Sequence, residues 1–356
     1  MESIVSAVKT TPKTVLNDYQ KVMELAGYEK HLPKDKELVL KLNLSWSLYY
    51  PSCSTEPWQL EGVLKTLQNG GYKNIHAVEN RTVVTDVWKG AKGNKWLPVL
   101  EQYGLKFEPL TETEWVHFKP KSEMLALDKV FPHHYMIPKT FIGKNVLHLP
   151  TIKTHGHTSM TGAMKNAFGG LINFHRHHCH KMIHEVLVDL LQIQKEIHPG
   201  IFSVMDGTVC GDGNGPRCMV PKIKNYVLAS SDQVAIDAIS AKMMGYDPMK
   251  IPFIKIAHDK GLGIGDPDQI EVVGEPLHDV NFRFSTGKTP VIFWDQMLRK
   301  GPLSFVEPLL FHTGLFNMCI FASAFYHDKL WYPTIGKKHI NNFMQTEWGE
   351  LWKQYK

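Results

Sequence analysis

The stretch Asn145-Val-Leu-His-Leu-Pro150-Thr-Ile-Lys-Thr-His155-Gly-His157-Thr-Ser-Met-Thr161-Gly-Ala-Met-Lys165-Asn-Ala-Phe-Gly-Gly170 decides the fold class. It opens on an apolar run, Asn145 to Leu149, of strand length. A polar loop follows, after which Thr158 to Thr161 offer hydroxyls to cap a helix that Gly169-Gly170 would stop. Strand, polar loop and helix start, in that order, are how α/β proteins build ligand sites at the carboxyl edge of a sheet.

Outward from this stretch, similar apolar runs recur at Ile4 to Val8, Glu37 to Leu42, Asn74 to Val78, Leu105 to Leu110, Ile201 to Met205 and Asn225 to Ala229. The spacing predicts helices over about residues 14–26, 57–69, 95–103, 161–168, 182–197 and 233–244. Such alternation predicts an α/β fold, a largely parallel sheet flanked by helices, in one domain or two lobes. Residues 1–280 form this domain in our reading, and residues 281–356 an aromatic-rich C-terminal subdomain. Within the latter, Pro308 to Phe325 is almost uniformly apolar. It reads either as a helical layer over the sheet or as a membrane-surface or protein contact through residues 302–326. His312 and Asn317, and the shortness of the run, argue against a spanning helix.

The 40 Lys and Arg are spread along 356 residues with a net charge of +5, and no basic block is interleaved with aromatic residues. That pattern disfavours nucleic acid and favours a small anionic molecule. The five cysteines (Cys53, Cys179, Cys210, Cys218, Cys319) are scattered without a C-x-x-C pair, so neither a disulfide framework nor an iron–sulfur cluster is expected. Reduced thiols and the lack of a secretory signal at the N-terminus predict a cytoplasmic protein.

Lys165 is expected about one turn into its helix. There it could hold a phosphate or carboxylate beside the free backbone N–H groups, or act as a base or Schiff-base amine if desolvated. His155 and His157 alternate along an extended loop, so they should diverge unless both turn to one metal. They are the acid–base candidates. Asp206, closing the strand Ile201 to Met205, is assigned to orienting a histidine or a metal. Substrate contacts are expected from Lys41 and Asn43 at another strand end, from Lys153 and Asn166, and from Gly213 and Gly215 in Gly211-Asp-Gly-Asn-Gly-Pro216. That glycine-rich segment reads equally as a wide turn. Glu79 adds a carboxylate at a third strand end. Asp237, set among apolar residues, requires a partner and is counted among the substrate contacts. Asp232 is explained by helix capping alone.

Histidine is over-represented, with 19 copies, and five of them fall in Asn173-Phe-His-Arg-His-His-Cys-His-Lys-Met-Ile-His-Glu185. His175, His178, His180 and His184 are the candidate ligands for a divalent transition metal. The zincin pattern fails, since His184-Glu185 is followed by Val186, Leu187 and Val188. The alternative is a helix start with one or two functional histidines.

Taken as a set, Lys41-Leu-Asn43, Pro150-Thr-Ile-Lys-Thr-His-Gly-His157, Thr161-Gly-Ala-Met-Lys-Asn-Ala-Phe-Gly169, Asp206-Gly-Thr208 with Gly213-Asn-Gly-Pro216, and Ser231-Asp-Gln-Val-Ala-Ile-Asp237 resemble the domain-of-unknown-function 362 family (DUF362) over about residues 37–275. The resemblance implies a shared architecture and polar site. Many members carry ferredoxin-like cysteine clusters, which this chain lacks. His-Gly-His followed by Gly and Lys is also faintly similar to the lactate racemase family, where histidines handle an α-proton beside a nickel-pincer cofactor; no cofactor carries over. The expectation is an intracellular enzyme using His/Lys acid–base chemistry on a small anion, with or without metal assistance. The alternative is a transition-metal-binding or redox accessory protein without turnover.

Overall fold

The computed structural model describes residues 3–132, 135–173, 176–287, 289–299, 301–302, 304–311 and 313–356. In chain order the strands are β1 (Ser3–Lys9), β2 (Leu38–Lys41), β3 (Ile75–Glu79), β4 (Phe107–Pro109), β5 (Trp115–His117), β6 (Met136–Pro138), β7 (Asn145–His148), β8 (Thr151–His155), β9 (Ser159–Met160), β10 (Ile201–Asn214), β11 (Cys218–Ser230) and β12 (Ile270–Gly274). All but β5 and β6 join one sheet with the order β12-β1-β11-β10-β7-β2-β3-β4, to which β8 and β9 attach beside β10. Neighbours along that path are parallel except on the two sides of β11. The fold is thus α/β with a largely parallel sheet.

The central strands are apolar on both faces, as parallel strands covered by helices must be. Val39, Val78 and Val146 face the core under helices Ala163–Leu171, Ile183–Ile197 and Gln233–Met244. Their neighbours Leu38, Leu40, Ala77 and Leu147 face the opposite core, under Val15–Leu25, Pro57–Asn69 and Trp96–Gln102. The two-residue period of a strand places each set.

Three local expectations change. The segment after Pro150 is a strand, β8, which pairs with β10 and turns back through β9. Gly211 to Asn214 continue β10 in a long hairpin with β11 and do not form a wide turn. Gly169 and Gly170 lie inside the helix Ala163–Leu171. A Cβ on Gly170 would stand 2.9 Å from the Phe141 ring and 3.2 Å from Lys41 Cε, so these glycines serve close packing over Lys41.

The C-terminal segment folds back over the carboxyl edge of the sheet. Helix Pro290–Arg299 packs on the β8–β9 turn, where Gln296 Nε2 donates to the Gly156 carbonyl at 2.8 Å. A continuous helix runs from Phe316 to Phe343, its middle (Phe325–Gly336) wound with the wider π pitch. Trp331 packs on Trp46 and Tyr50, and Trp46 Nε1 donates to Asp328 at 2.6 Å. Trp348 closes the end, stacking near Trp58 and donating to Asn225 at 2.8 Å. Among the described residues, no helix is long and apolar enough to cross a membrane.

Candidate functional site

The carboxyl ends of β2, β3 and β7 lie side by side, because Lys41 registers with Val78 on one neighbour and His148 on the other. Lys41 and Glu79 therefore meet in a buried ion pair, at 2.8 and 2.9 Å, and Lys41 donates also to the Leu42 carbonyl at 2.6 Å. Burial lowers the Lys41 pKa, against the pull of Glu79. Arg176 sits behind the pair, donating to the Ile172 and Gly169 carbonyls.

Above this edge lies a partly open cavity of about 500 Å³ between the sheet and the C-terminal helices. Of the residues singled out from sequence, Lys41, Asn43, Glu79, His155, His157, Lys165, Asn166, Gly215 and His180 are among those that line it. The sheet thus gathers groups from β2, β8, the helix after β9 and the histidine segment into one hollow.

Lys165 is the distinctive member. Its amine donates no hydrogen bond and makes no ion pair among the described residues; it lies over the Phe168 ring, 5.3 Å from the centroid. Burial, reinforced by the charges of Lys153 and Arg176, lowers its pKa to about 7. Arg217 likewise lines the cavity with Nη1 buried and without a hydrogen-bond partner, although its Nη2 reaches Ser323 at 3.3 Å.

His155 accepts a hydrogen bond at Nδ1 from the His157 backbone N–H, at 3.1 Å. Its neutral ring therefore carries the proton on Nε2. Burial, with nearby Lys165 and the other histidines, holds its pKa well below the usual histidine value. His157 stacks on His180, with ring centroids 4.8 Å apart and planes 20° apart. Its Nε2 lies 3.6 Å from Asp295 of the covering helix. His157, His180 and Asp295 each offer a ligand atom, all within 4.8 Å of one another. His180 Nδ1 is buried without a hydrogen-bond partner, and burial keeps this ring neutral, the protonation state a metal requires.

Other assigned residues stand elsewhere. The helix start proposed for an anion is already filled: Asp237 accepts hydrogen bonds from Ala163 N at 2.6 Å and Met164 N at 3.0 Å. Gly162, at φ 116°, permits this, since a Cβ there would collide with the Asp237 carboxylate. Burial pushes Asp237 up to about 8, against those two donors. Its partner is thus the helix itself, while Thr161 turns its hydroxyl to the Thr151 and Lys153 carbonyls. Asp206 does not reach the cavity; it is buried on the opposite face, accepting from Tyr19 (2.6 Å), Trp58 (3.1 Å) and both donors of Thr208. Burial raises its pKa against these donors. Lys153 lies below the cavity floor, bound by Asn43 Oδ1, the Cys53 carbonyl (2.6 Å) and Thr151 Oγ1 (2.7 Å); burial lowers it to about 8. Gly213 does not line the cavity.

The histidine cluster divides. His178 packs edge-on against His177, His184 stacks on Phe253 with centroids 6.0 Å apart, and His180 stacks on His157. His175 lies outside the described residues. Sequence reasoning missed Asp295 and Arg217. Arg217 follows Gly215-Pro216 directly, a local signal; Asp295 lies in an aromatic helix far along the chain and has none.

The family described as Domain of unknown function (DUF362) matches residues 38–242, which include β2, β3, β7 to β11 and most of the cavity floor. The chain is 24% identical over 234 residues to "Thylakoid-associated protein sll1697" of Synechocystis sp., covering 65% of this chain and 69% of that protein. The likeness to the lactate racemase family finds no support in these comparisons. No solved structure matches.

Proposed function

The chain belongs to the DUF362 family, and from that premise we propose that it is an enzyme that binds a small carboxylate- or phosphate-bearing molecule in the cavity and acts on it by acid–base chemistry. The observation that carries this reading is a pair of cationic side chains lining one hollow: Arg217, whose Nη1 is buried without an acceptor, and Lys165, whose amine makes no hydrogen bond or ion pair among the described residues. A buried donor without an acceptor is costly, and an anion supplies acceptors and charge together. The other lining charges are already committed, Glu79 to Lys41 and Asp295 to Arg299 at 3.0 Å. In this reading Lys165 and Arg217 hold the anion. His155, fixed as its Nε2–H tautomer, moves a proton at the adjacent position, as an isomerase or lyase requires. Asp206 and Asp237 have no part in the chemistry, and the cysteines, all five free, fit a cytoplasmic setting.

Titration calorimetry with inorganic phosphate and acetate tests this. Lys165→Met is expected to weaken anion binding by about tenfold or more, the worth of one charged hydrogen bond, without lowering Tm. Unchanged affinity, or a fall in Tm that accounts for the loss, would remove Lys165 from the site.

A second reading is favoured by His157, His180 and Asp295. Two imidazoles and a carboxylate suit a divalent transition metal, and neutral His180 with an unpaired Nδ1 fits that set. A bound metal would supply Lewis acidity beside the anion site, or would define an accessory protein without turnover of its own.

A further inference from the structure

The cavity has two unlike walls. Its floor is polar, from Lys41 to Asn166; its roof is mostly apolar, built by Ile292 and Leu298 of the helix Pro290–Arg299 and by Phe311, Phe316 and Ile320 beyond it, with Asp295 of that helix paired to Arg299. A small ion needs only the floor. The roof helices are also apolar on their outer side. Phe293 and Trp294 are exposed on the first helix, Phe305 (77% exposed) follows it, and Met318 (68%) and Phe321 (71%) project from Phe316–Ala324. Trp294 both lines the cavity and is 55% exposed, so at this residue the hollow meets the outside through an apolar side chain.

Charge selects the occupant of that outer face. From Gly301 to His327 the sequence carries one carboxylate, Glu307. Farther along the same long helix Lys329, Lys337 and Lys338 are exposed. Asp328, the next carboxylate, is held inward by Trp46 Nε1 at 2.6 Å, so an exposed apolar stretch that continues into exposed lysines remains, the composition of a helix lying in the headgroup region of an anionic bilayer.

We propose that the cavity receives the anionic head of an amphiphile, a phosphate or carboxylate on an alkyl or prenyl chain, and that the helical roof seats on an anionic lipid surface from which this ligand enters. The proposal rests on the anion-binding reading of the cavity and adds the chain that the roof would cover. Lys165 and Arg217 hold the head; the tail leaves past Ile292 and Trp294 toward the bilayer.

Two measurements on the full chain test it. In the first, the protein is floated with phosphatidylcholine vesicles with and without phosphatidylglycerol. Co-flotation is expected with phosphatidylglycerol, and the double variant Met318→Ser, Phe321→Ser should lose about tenfold or more of it at unchanged Tm. No flotation, flotation that the variant retains, or self-association in place of vesicle binding overturns the docking. In the second, octyl phosphate below its micelle concentration is compared with inorganic phosphate by calorimetry. Octyl phosphate should bind about tenfold more tightly or better, and Lys165→Met should weaken both. Equal affinities overturn the amphiphile while the anion site stands; no binding of either overturns both.

Discussion

The floor of the cavity and its roof treat polar groups in opposite ways. In the floor each buried charge has been given partners: Lys41 has Glu79, Lys153 has three oxygen acceptors, and Asp237 has the two N–H groups of a helix start. At the seam with the roof, Arg217 Nη1 and His180 Nδ1 are buried without a partner, and the Lys165 amine makes no hydrogen bond or ion pair among the described residues. Lys153 and Lys165 make the point sharply, twelve residues apart, on β8 and on the helix after β9, and both shifted by burial. One is structural because its hydrogen bonds are filled; the other is available because they are not. Residue type and approximate position alone would have given the two lysines the same role.

The largest effect should come from the floor. Lys41→Met leaves Glu79 buried without its cation, and the loss of stability should be about 3–5 kcal/mol, read by urea unfolding. The double variant Lys41→Met, Glu79→Gln should recover part of it, since an isolated charge no longer remains. A Lys41→Met protein of normal stability that has lost only anion binding would break the comparison, by moving Lys41 from scaffold to ligand site.

A smaller effect is expected at the roof. If His157, His180 and Asp295 hold a transition metal, His180→Ala should weaken zinc or cobalt binding by roughly 10–100-fold or more, since even indirect supports of a metal are worth that much. His184→Ala, altering a ring stacked on Phe253, should leave metal binding unchanged. Metal analysis of the purified protein and cobalt absorption spectra distinguish the two. Equal losses in both variants would return the site to the histidine cluster as the sequence presents it.

Much of the sheet was legible because burial writes itself into the strands. Val39 between Leu38 and Leu40 is apolar on both faces, and the apolar runs from Ile4 to Ala229 each became a strand. β8 was not legible, since Thr-Ile-Lys-Thr-His is polar; its side chains are satisfied by long-range partners such as Ser52, Asn43 and Gly213. β12 was overlooked as well, a short strand at the sheet edge with one of its five residues, Ile270, buried. In the site, Lys165, His155 and Asn166 could be singled out because a strand leading to a helix marks the carboxyl edge. Asp237 was recognised as needing a partner, but not that the partner is the very helix start assigned to a ligand. Periodicity shows which residues are buried; it does not show which buried groups satisfy each other across seventy positions of chain.

The smallest effect concerns what an unsatisfied amine does to stability. In the unfolded chain Lys165 keeps its proton to about pH 10.4, whereas in the folded protein it releases it near 7. Between those values the unfolded state binds more protons, so this residue makes stability rise with pH across the window. Below about pH 7 both states are protonated and the cost of burying the ammonium is present in full. Lys165→Met removes the titration. In anion-free buffer the variant should melt above the parent at pH 6, on the order of a few °C, with the gap closing as pH rises toward 10. Adding phosphate at pH 6 should narrow or reverse the gap, because the ligand stabilises only the protein that retains the lysine. A gap independent of pH would mean that the amine is solvated like any surface lysine, and the contrast with Lys153 would lose its physical basis.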